Sequence, residues 1–358
     1  MIKIWIQVKK INKTNFKKIL IVRTDRIGDV ILTMPVAAAL KKAMPEAHIC
    51  FLCRQLTAVI GERNPDIDSV LTIDDKNGNM LPKKQLTETI RSGDFDCAVV
   101  THPSFYLARL LRSSGIPLRI GTGYRFYSFL FNARHKEHRK ESIKHEAEYN
   151  LGLLEPLDIP FEKPEFRFDL TENDIKKANE TLNSLNIGKD DNFCVIHPGS
   201  GGSAMDWPRE NFKELAQKLT EDQNRKVIIT WGEGESGLAD FISDGSNDIL
   251  KLPEVLPLPV LAAVLKRAKL LVAPSTGVLH LANIMGAKVI GLYPPVRHES
   301  PVRWGPSGQI ENTFVPDIND CPDCRGGKCR KIKCMDLITP DMVFDKAESI
   351  LRHKNPGE

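Results

Sequence analysis

Short apolar runs recur along the chain, and each is followed by a polar turn and a segment with apolar residues at helical spacing. The runs occupy residues 18–23, 47–53, 69–73 and 96–100 in the first half and 193–197, 226–231, 269–273 and 289–293 in the second. Runs without a polar alternation are typical of strands buried on both faces, and intervening helices indicate parallel pairing. The pattern therefore predicts an α/β protein with two successive parallel sheets.

The two halves are separated by a change in composition. Residues 157–189 are rich in proline and charge, with one predicted helix at Glu172–Leu185. Linkers of this composition mark domain boundaries. We predict a first domain at 1–165, a connector at 166–188, a second domain at 189–338 and a C-terminal helix and tail at 339–358.

The first polar turn, residues 24–29, joins the strand at 18–23 to a predicted helix at Val30–Ala43. The right-handed crossover of a β-α-β unit places this turn at the carboxyl end of the strand, where open parallel sheets hold their ligands. Asp29 therefore sits at a helix start beside a predicted ligand site. A simple helix cap is the alternative interpretation of this aspartate.

A second turn of this kind follows the strand at 269–273. Pro274 ends the strand, Ser275 or Thr276 is placed to cap a helix at Val278–Met285, and Gly277 allows close approach to the backbone. Free N–H groups at such a helix start bind phosphate, and His280 follows one turn later. An ordinary capped β-α-β unit with a surface histidine is the alternative.

Composition adds little to this picture. The chain has 358 residues, enough for two cores, and its formal charge of +4 does not by itself imply nucleic acid. No apolar run is long enough to span a bilayer, and the start lacks a continuous apolar core with a cleavage site. We expect a cytoplasmic protein.

Residues 104–140 are strongly basic, with eight Lys or Arg against one acid, Glu137. Aromatic residues are interleaved with these cations. Such a surface suits a phosphorylated amphiphile at a membrane face, single-stranded nucleic acid, or a solvated helix face over a core. Because no nucleic-acid module is recognisable, we expect no nucleic-acid partner.

The eight cysteines form two groups. Those in apolar runs are predicted to be reduced core residues: Cys50, Cys53, Cys97 and Cys194. The other four, Cys321, Cys324, Cys329 and Cys334, are closely spaced in a basic loop. Four such thiols could hold a structural zinc, although a disulfide or free thiols fit the unusual spacing better.

Five segments together resemble glycosyltransferase family 9, the ADP-heptose:lipopolysaccharide heptosyltransferases. They are ILIVRTDRIGDVILTMPVAAAL, VIHPGSGGSAMDWPRENFKELA, STGVLHLANIMGAKVIGLY, VRWGP and DLITPDMVFDKAESIL, in the order of the family. The resemblance implies a GT-B fold, in which two Rossmann-like domains face each other across a cleft. It also implies that the first domain holds the acceptor, that the second holds the nucleotide sugar, and that the anomeric carbon is inverted.

The resemblance also assigns site residues. Asp29 matches the proposed general base, and a carboxylate can take the proton of an acceptor hydroxyl. The expected donor-binding residues are Ser200, Glu235, Ser275, Thr276, Gly277 and His280, with Glu235 against the nucleotide ribose. The expected acceptor-binding residues are Arg26, Gly28, Arg109 and Arg125. The implied partners are a nucleotide sugar and a lipid-linked oligosaccharide at the inner face of the inner membrane.

Two positions depart from the family pattern. Ser275 stands where the family has Asp, and Met205 and Asp206 precede Trp207 where the family has a phosphate-contacting Lys. A nucleotide-sugar epimerase of the same fold and a non-catalytic nucleotide-sugar-binding module therefore stay open as alternatives. We expect metal-independent transfer without a cofactor, because such enzymes need no bound metal and no Asp-x-Asp pair lies at the predicted site.

Overall fold

The computed structural model describes residues 16–160, 163–202, 204–221, 225–243, 245–318 and 333–352. The chain divides into two compact units. The first comprises the chain up to Arg139 together with Lys144–Asp169, and the second comprises Lys140–Ile143 together with the chain from Leu170 onward.

The first unit is built on a six-stranded sheet in which every pair of neighbouring strands is parallel. Its strands are β1 (Lys18–Val22), β2 (His48–Cys53), β3 (Ser69–Thr72), β4 (Cys97–Val100), β5 (Leu118–Thr122) and β6 (Ala133–His135). Its helices are α1 (Ile27–Ile31), α2 (Met34–Ala43), α3 (Ala58–Glu62), α4 (Lys83–Ser92), α5 (Phe105–Ser113) and α6 (Glu146–Gly152). β4 is buried throughout and β1 is buried from Ile19 to Val22, as the unbroken apolar runs predict.

The second unit repeats this plan with another six-stranded parallel sheet. Its strands are β7 (Phe193–Ile196), β8 (Lys226–Ile229), β9 (Ile249–Lys251), β10 (Leu270–Pro274), β11 (Lys288–Leu292) and β12 (Thr313–Phe314). Its helices are α7 (Glu172–Ser184), α8 (Arg209–Glu221), α9 (Ser236–Ser243), α10 (Leu258–Arg267), α11 (Gly277–Ile284), α12 (Pro301–Trp304) and α13 (Pro340–Arg352). Leu215, Ile229, Val272 and Val343 meet in its core.

Both sheets reverse their strand order at one point. The orders are β3-β2-β1-β4-β5-β6 and β12-β11-β10-β7-β8-β9, so the reversals lie between β1 and β4 and between β10 and β7. Ligands of open α/β sheets bind beyond the carboxyl ends of the strands at such a reversal. The turns after β1, β4, β7 and β10 therefore lie where a ligand of this fold would bind.

The predicted helix at Val30–Ala43 is wrong in one respect, because two helices occupy this region. α1 ends at Ile31, and α2 begins at Met34. Pro35 lacks an N–H group and its ring clashes with a preceding carbonyl, which prevents one helix from running through. Thr33 lies between the helices and donates its hydroxyl hydrogen to the carbonyl of Asp29 at 2.9 Å, which ties the break to the first turn of α1.

The prediction of reduced core cysteines is confirmed. Cys50, Cys53, Cys97 and Cys194 are free and buried. Of the proposed zinc ligands, Cys321, Cys324 and Cys329 lie outside the described residues, and Cys334 is buried. Within the described residues, no group of His, Cys, Asp or Glu side chains could hold a metal ion, and no helix is long and apolar enough to cross a membrane.

Candidate active site

Asp29 lies in the first turn of α1, at the strand reversal of the first unit. Its carboxylate accepts a short hydrogen bond from Arg23, the residue that follows β1. Arg23 is only 2% exposed, and its Nε donates to Oδ1 of Asp25 at 2.7 Å. One buried guanidinium thus holds two carboxylates of the same turn, and the pair with Asp29 fixes the orientation of its carboxyl group.

A distant segment completes this cluster. Glu146, the first residue of α6, is buried and accepts from Arg23 at 3.1 Å and from Arg139 at 2.7 Å. Arg139 also donates to Oδ1 of Asn150 at 3.1 Å, and the Asn150 amide donates to the carbonyl of Leu32 at 3.0 Å. α6 therefore supplies both the counter-charge of Arg23 and a link to the break between α1 and α2.

Burial and the negative charges of this cluster raise the pKa of Asp29. Burial raises the pKa of its carboxyl group most, Arg23 opposes this effect, and Asp25 and Glu146 add to it, so that the pKa reaches about 6. For Arg23, burial alone would lower the pKa, but attraction to Asp25, Asp29 and Glu146 outweighs burial and raises it. A carboxylate with a pKa near 6 can accept a proton close to neutral pH.

His102 extends the cluster from the neighbouring strand. It follows Thr101 at the carboxyl end of β4, and its Nδ1 lies 3.2 Å from Oδ2 of Asp25. Desolvation lowers the pKa of His102, so it is neutral at neutral pH. The strand reversal thus brings a second titratable side chain into contact with Asp25, which in turn is bonded to Arg23.

The predicted acceptor-binding residues belong to the same unit as this cluster. Arg26 is the exposed N-cap residue of α1, and Gly28 is the second residue of that helix. Arg109 is exposed on α5, and Arg125 is exposed in the turn after β5. Their assignment to the acceptor stays a prediction.

In the second unit, the turn Ser275–Thr276 leads into α11 as predicted, but the capping differs. Thr276 occupies the N-cap position, and its side chain makes no capping hydrogen bond. Its extended backbone, with φ −142° and ψ 163°, presents the first turn of α11 at the end of β10. Ser275 instead hydrogen bonds through its side chain to the buried Tyr293.

His280 is buried in α11 and is not a surface residue. Its neighbours in the helix, Val278, Leu279, Leu281 and Ala282, are buried as well. The alternative of a surface histidine is therefore wrong, because five consecutive buried residues mean that this part of α11 is covered all round.

Glu235 joins two glycine-rich turns. Its two carboxylate oxygens accept the N–H of Gly201 at 3.0 Å and that of Gly232 at 2.9 Å. Gly199 packs so closely against this carboxylate that a Cβ atom there would overlap it. Ser200, predicted to bind donor, is buried in the first of these turns and donates to the carbonyl of Ala204 at 3.1 Å. Each oxygen of Glu235 keeps a lone pair for a further hydroxyl.

Sequence reasoning missed His197 in this region. It follows β7 and is buried, and its Nδ1 lies 2.9 Å from the Thr230 hydroxyl. Burial lowers its pKa to about 4, despite the opposing charge of Glu235, so the ring is neutral. A polar residue directly after a buried strand and before Pro198 was the available signal.

The departures at Met205 and Asp206 have different surroundings. Met205 packs against the core of the second unit, with its sulfur 3.6 Å from Sγ of Cys334, whereas Asp206 is exposed. Trp207 is buried and donates to the carbonyl of Ile338 at 2.8 Å. Met205 and Trp207 therefore hold the preceding glycine-rich turn against residues 334–338.

Comparison with known proteins gives two levels of likeness. Residues 84–334 match the model of glycosyltransferase family 9 (heptosyltransferase), and Asp29 precedes this range. A putative glycosyltransferase of Haemophilus influenzae is 30% identical over 94% of this chain and 97% of its own. Lipopolysaccharide heptosyltransferase 3 of Escherichia coli K12 is 27% identical over 92% of this chain and 97% of its own.

Solved structures agree in fold. A family 9 glycosyltransferase of Veillonella parvula superposes with a TM-score of 0.79 at 21% identity, over 96% of this chain and 99% of its own. Heptosyltransferase WaaC of E. coli, solved with ADP, gives 0.71 at 20% identity, over 93% and 99%. The α/β GT-B class with two Rossmann-like units is thereby confirmed. The chain belongs to glycosyltransferase family 9 (heptosyltransferase), and it is a glycosyltransferase.

Proposed function

We propose that this glycosyltransferase moves a heptose from ADP-heptose to a hydroxyl of a lipopolysaccharide core acceptor, with inversion at the anomeric carbon and Asp29 as general base. The observation that supports this most is the carboxylate of Asp29, which is oriented by Arg23 and has a pKa raised to about 6. A base must be ionised at working pH and still take a proton as the acceptor oxygen attacks.

The reaction forms one bond and breaks one. The acceptor oxygen attacks the anomeric carbon as the bond from that carbon to the distal phosphate of ADP breaks. Asp29 takes the hydroxyl proton, and ADP leaves with the electron pair. Because Asp29 becomes neutral in this step, the cluster of Arg23, Asp25 and Glu146 loses one excess negative charge, which favours the protonated product state.

The second unit supplies donor recognition in this proposal. Backbone N–H groups at the start of α11, after Thr276, stabilise charge on the diphosphate, because the first N–H groups of a helix point out of its end and are available to an anion. Glu235 accepts hydrogen bonds from the ribose hydroxyls with the lone pairs left by Gly201 and Gly232. The names of the relatives support this donor class, since one is a lipopolysaccharide heptosyltransferase and one structure contains ADP.

The acceptor side rests on cations. Arg26, Arg109 and Arg125 are exposed in the unit that carries Asp29, and phosphorylated core sugars offer them matching charge. Because lipopolysaccharide acceptors are lipid-linked, the same proposal includes contact with a membrane.

Replacing Asp29 by Asn tests the base. The substitution keeps the shape of the side chain and removes its basicity, so we expect kcat to fall by about 10²- to 10⁴-fold while the calorimetric Kd for ADP stays unchanged. Asp94→Asn is the matched control, because Asp94 is an exposed residue of the same unit at φ 52°, a conformation that Asn tolerates. An Asp29→Asn enzyme with full turnover would exclude Asp29 as the base.

Product and donor-binding assays on the wild-type protein separate the alternatives. Wild-type protein given ADP-heptose and a core acceptor should release ADP and a lengthened acceptor. An epimerase would release a free altered sugar without any acceptor, and a non-catalytic module would bind the donor without releasing ADP. Tight binding of UDP- or GDP-sugars in place of ADP-heptose would change the donor and leave the proposed base intact.

A further inference from the structure

Four aromatic side chains stand out from the surface of the first unit. Phe126 is 82% exposed, Phe129 61%, Tyr124 47% and Phe105 45%. Phe105 and Phe126 stack with ring centroids 5.8 Å apart, so two of them form one apolar surface. Exposed apolar rings that adjoin one another often mark an interaction site.

The turn that carries these rings is fixed. The hydroxyl of Ser128 donates to the carbonyl of Thr122 at 2.7 Å and accepts the N–H of Arg125 at 3.0 Å. Tyr127, Leu130 and Phe131 of the same turn are buried in the core of the unit. The chain therefore alternates buried and exposed aromatics, and it holds Phe126 and Phe129 outward in a set position.

Cations surround the rings. Phe105, Arg109 and Arg112 follow one another at spacings of four and three along α5 and are all exposed, whereas the opposite face of this helix is buried. Arg125, Arg134 and Lys136 add further exposed positive charge. None of these five basic residues forms an ion pair with another residue in the described ranges.

We propose that this surface, defined by Phe105, Tyr124, Phe126 and Phe129 with Arg109, Arg112, Arg125, Arg134 and Lys136, docks on a bilayer containing anionic phospholipids. Exposed aromatic rings enter the boundary between headgroups and acyl chains, and unpaired cations attract the negative surface. Nucleic acid fits less well, because the outermost ring, Phe126, already stacks on Phe105. A second protein copy carrying the same unpaired positive charge would be repelled.

The position of the surface agrees with a lipid-linked acceptor. Tyr127 packs edge-on against Phe126 at 5.1 Å and donates its hydroxyl hydrogen to the carbonyl of Pro103 at 2.7 Å. Pro103 adjoins His102, whose ring contacts Asp25. The docking surface is thus joined through one side chain to the turn beside the Asp29 cluster. This last step rests on the proposed function, whereas bilayer binding does not.

Vesicle sedimentation of the full chain tests the proposal. We expect the protein to bind vesicles of phosphatidylcholine with phosphatidylglycerol, to bind pure phosphatidylcholine weakly, and to dissociate as salt is raised. Phe126→Ser with Phe129→Ser should lower the partition coefficient at least about tenfold. Arg112→Gln with Lys136→Gln should lower it roughly thirtyfold, at about fivefold per cation, on the anionic vesicles only.

Matched variants serve as controls. Leu56→Ser removes another apolar side chain of the same unit, 76% exposed and far from the rings in sequence. Lys83→Gln with Lys84→Gln removes two exposed cations from α4. Neither control should change binding, and an unchanged thermal midpoint checks that each variant is folded. Equal binding to both kinds of vesicle, equal losses in the controls, or tighter binding of a single-stranded oligonucleotide would overturn the proposal.

Activity distinguishes this inference from the proposed function. With a deacylated, water-soluble core acceptor, the Phe126→Ser, Phe129→Ser variant should turn over as the wild type does. With acceptor embedded in anionic vesicles it should lose about tenfold in kcat/KM, in proportion to its lost partitioning. If the wild type binds vesicles but transfers no heptose, the proposed function fails and the docking surface stands. If it transfers heptose and does not bind vesicles, the docking surface fails.

Discussion

In the cluster around Asp29, carboxylates outnumber the guanidinium groups that face them. Asp25, Asp29 and Glu146 place three carboxylates around the guanidinium groups of Arg23 and Arg139. Of these carboxylates, Glu146 is almost fully buried and meets both guanidinium groups, so it is the natural counter-charge. Asp29, whose pKa is raised to about 6, can take a proton near neutral pH, which is what a base must do.

In the proposed reaction, the pKa of Asp29 sets the pH dependence. The base works only when ionised, so kcat/KM should fall as the pH drops below about 6, tenfold per pH unit. Because Asp25 raises the pKa of Asp29 through its negative charge, Asp25→Asn should move this acid limb to lower pH. Initial rates across the acid range measure both effects. An acid limb that stays in place in the Asp25→Asn enzyme would show that another group controls it.

At the scale of elements, Glu235 couples the turn after β7 to the turn after β8. Gly199→Ala should displace this carboxylate, because a Cβ atom at that position overlaps it. We expect the Kd for ADP to rise about tenfold, since the lost ribose hydrogen bonds carry roughly 1.4 kcal/mol. Calorimetric titration with ADP is the measurement.

The control for this prediction is a glycine close by in sequence. Gly237 lies in α9, where a Cβ atom would meet open space, so Gly237→Ala should leave ADP binding unchanged. It should also stabilise the protein by roughly 0.5–1 kcal/mol through helix propensity. Unchanged affinity in the Gly199→Ala protein would mean that Glu235 does not touch the ribose.

The elements themselves were largely predictable. Two-sided apolar runs located the central strands, including β1, β4, β7 and β10, to within a residue or two. They did so because burial on both faces demands apolar residues at every position. The structure places Asp29 and Thr276 just beyond the carboxyl ends of β1 and β10, beside the strand reversals, where the turn chemistry predicts them.

The partners of Asp29 were not predictable in this way. Glu146 lies 123 positions from Arg23, and its segment carries no turn signal that points to β1. The burial of Arg23 also escaped prediction, because arginine at a strand end is usually solvated. Likewise, the break between α1 and α2 at Thr33 depends on Pro35. The apolar spacing of this stretch predicted one continuous helix, and it outweighed the local effect of the proline in that prediction.

At the scale of the whole molecule, the chain joins its two units three times. It leaves the first unit after Arg139, returns at Lys144 and leaves again after Asp169. α6 lies in the returning stretch and carries Glu146 and Asn150, both of which bond to the region of α1. The first unit is therefore incomplete without residues that follow its last strand.

Fragments of the chain test this dependence. A fragment ending at Asp169 should unfold cooperatively in denaturant, and one ending at Ile143 should show no cooperative transition. Removing Glu146 takes away one of three carboxylates that face the buried Arg23, beside Asp25 and Asp29, so the cost should stay below the about 3–5 kcal/mol of a buried pair broken outright. Against a typical domain stability of about 5–15 kcal/mol this is still a substantial loss. The intact chain carrying Glu146→Gln should accordingly be destabilised. Similar midpoints for the two fragments would show that α6 is dispensable.

The distance along the chain between Arg23 and Glu146 also sets an order of events in the cell. A ribosome releases the chain from the amino end, so β1 and Arg23, the residue after it, emerge early. Glu146, whose negative charge faces Arg23, emerges 123 residues later. At ordinary elongation rates this gap lasts roughly ten seconds. During that time the nascent chain can pair its strands but cannot complete the ionic cluster around Asp29. A transcript cut short before α6 would therefore yield a chain with every strand of the first sheet but without the buried glutamate that pairs with Arg23.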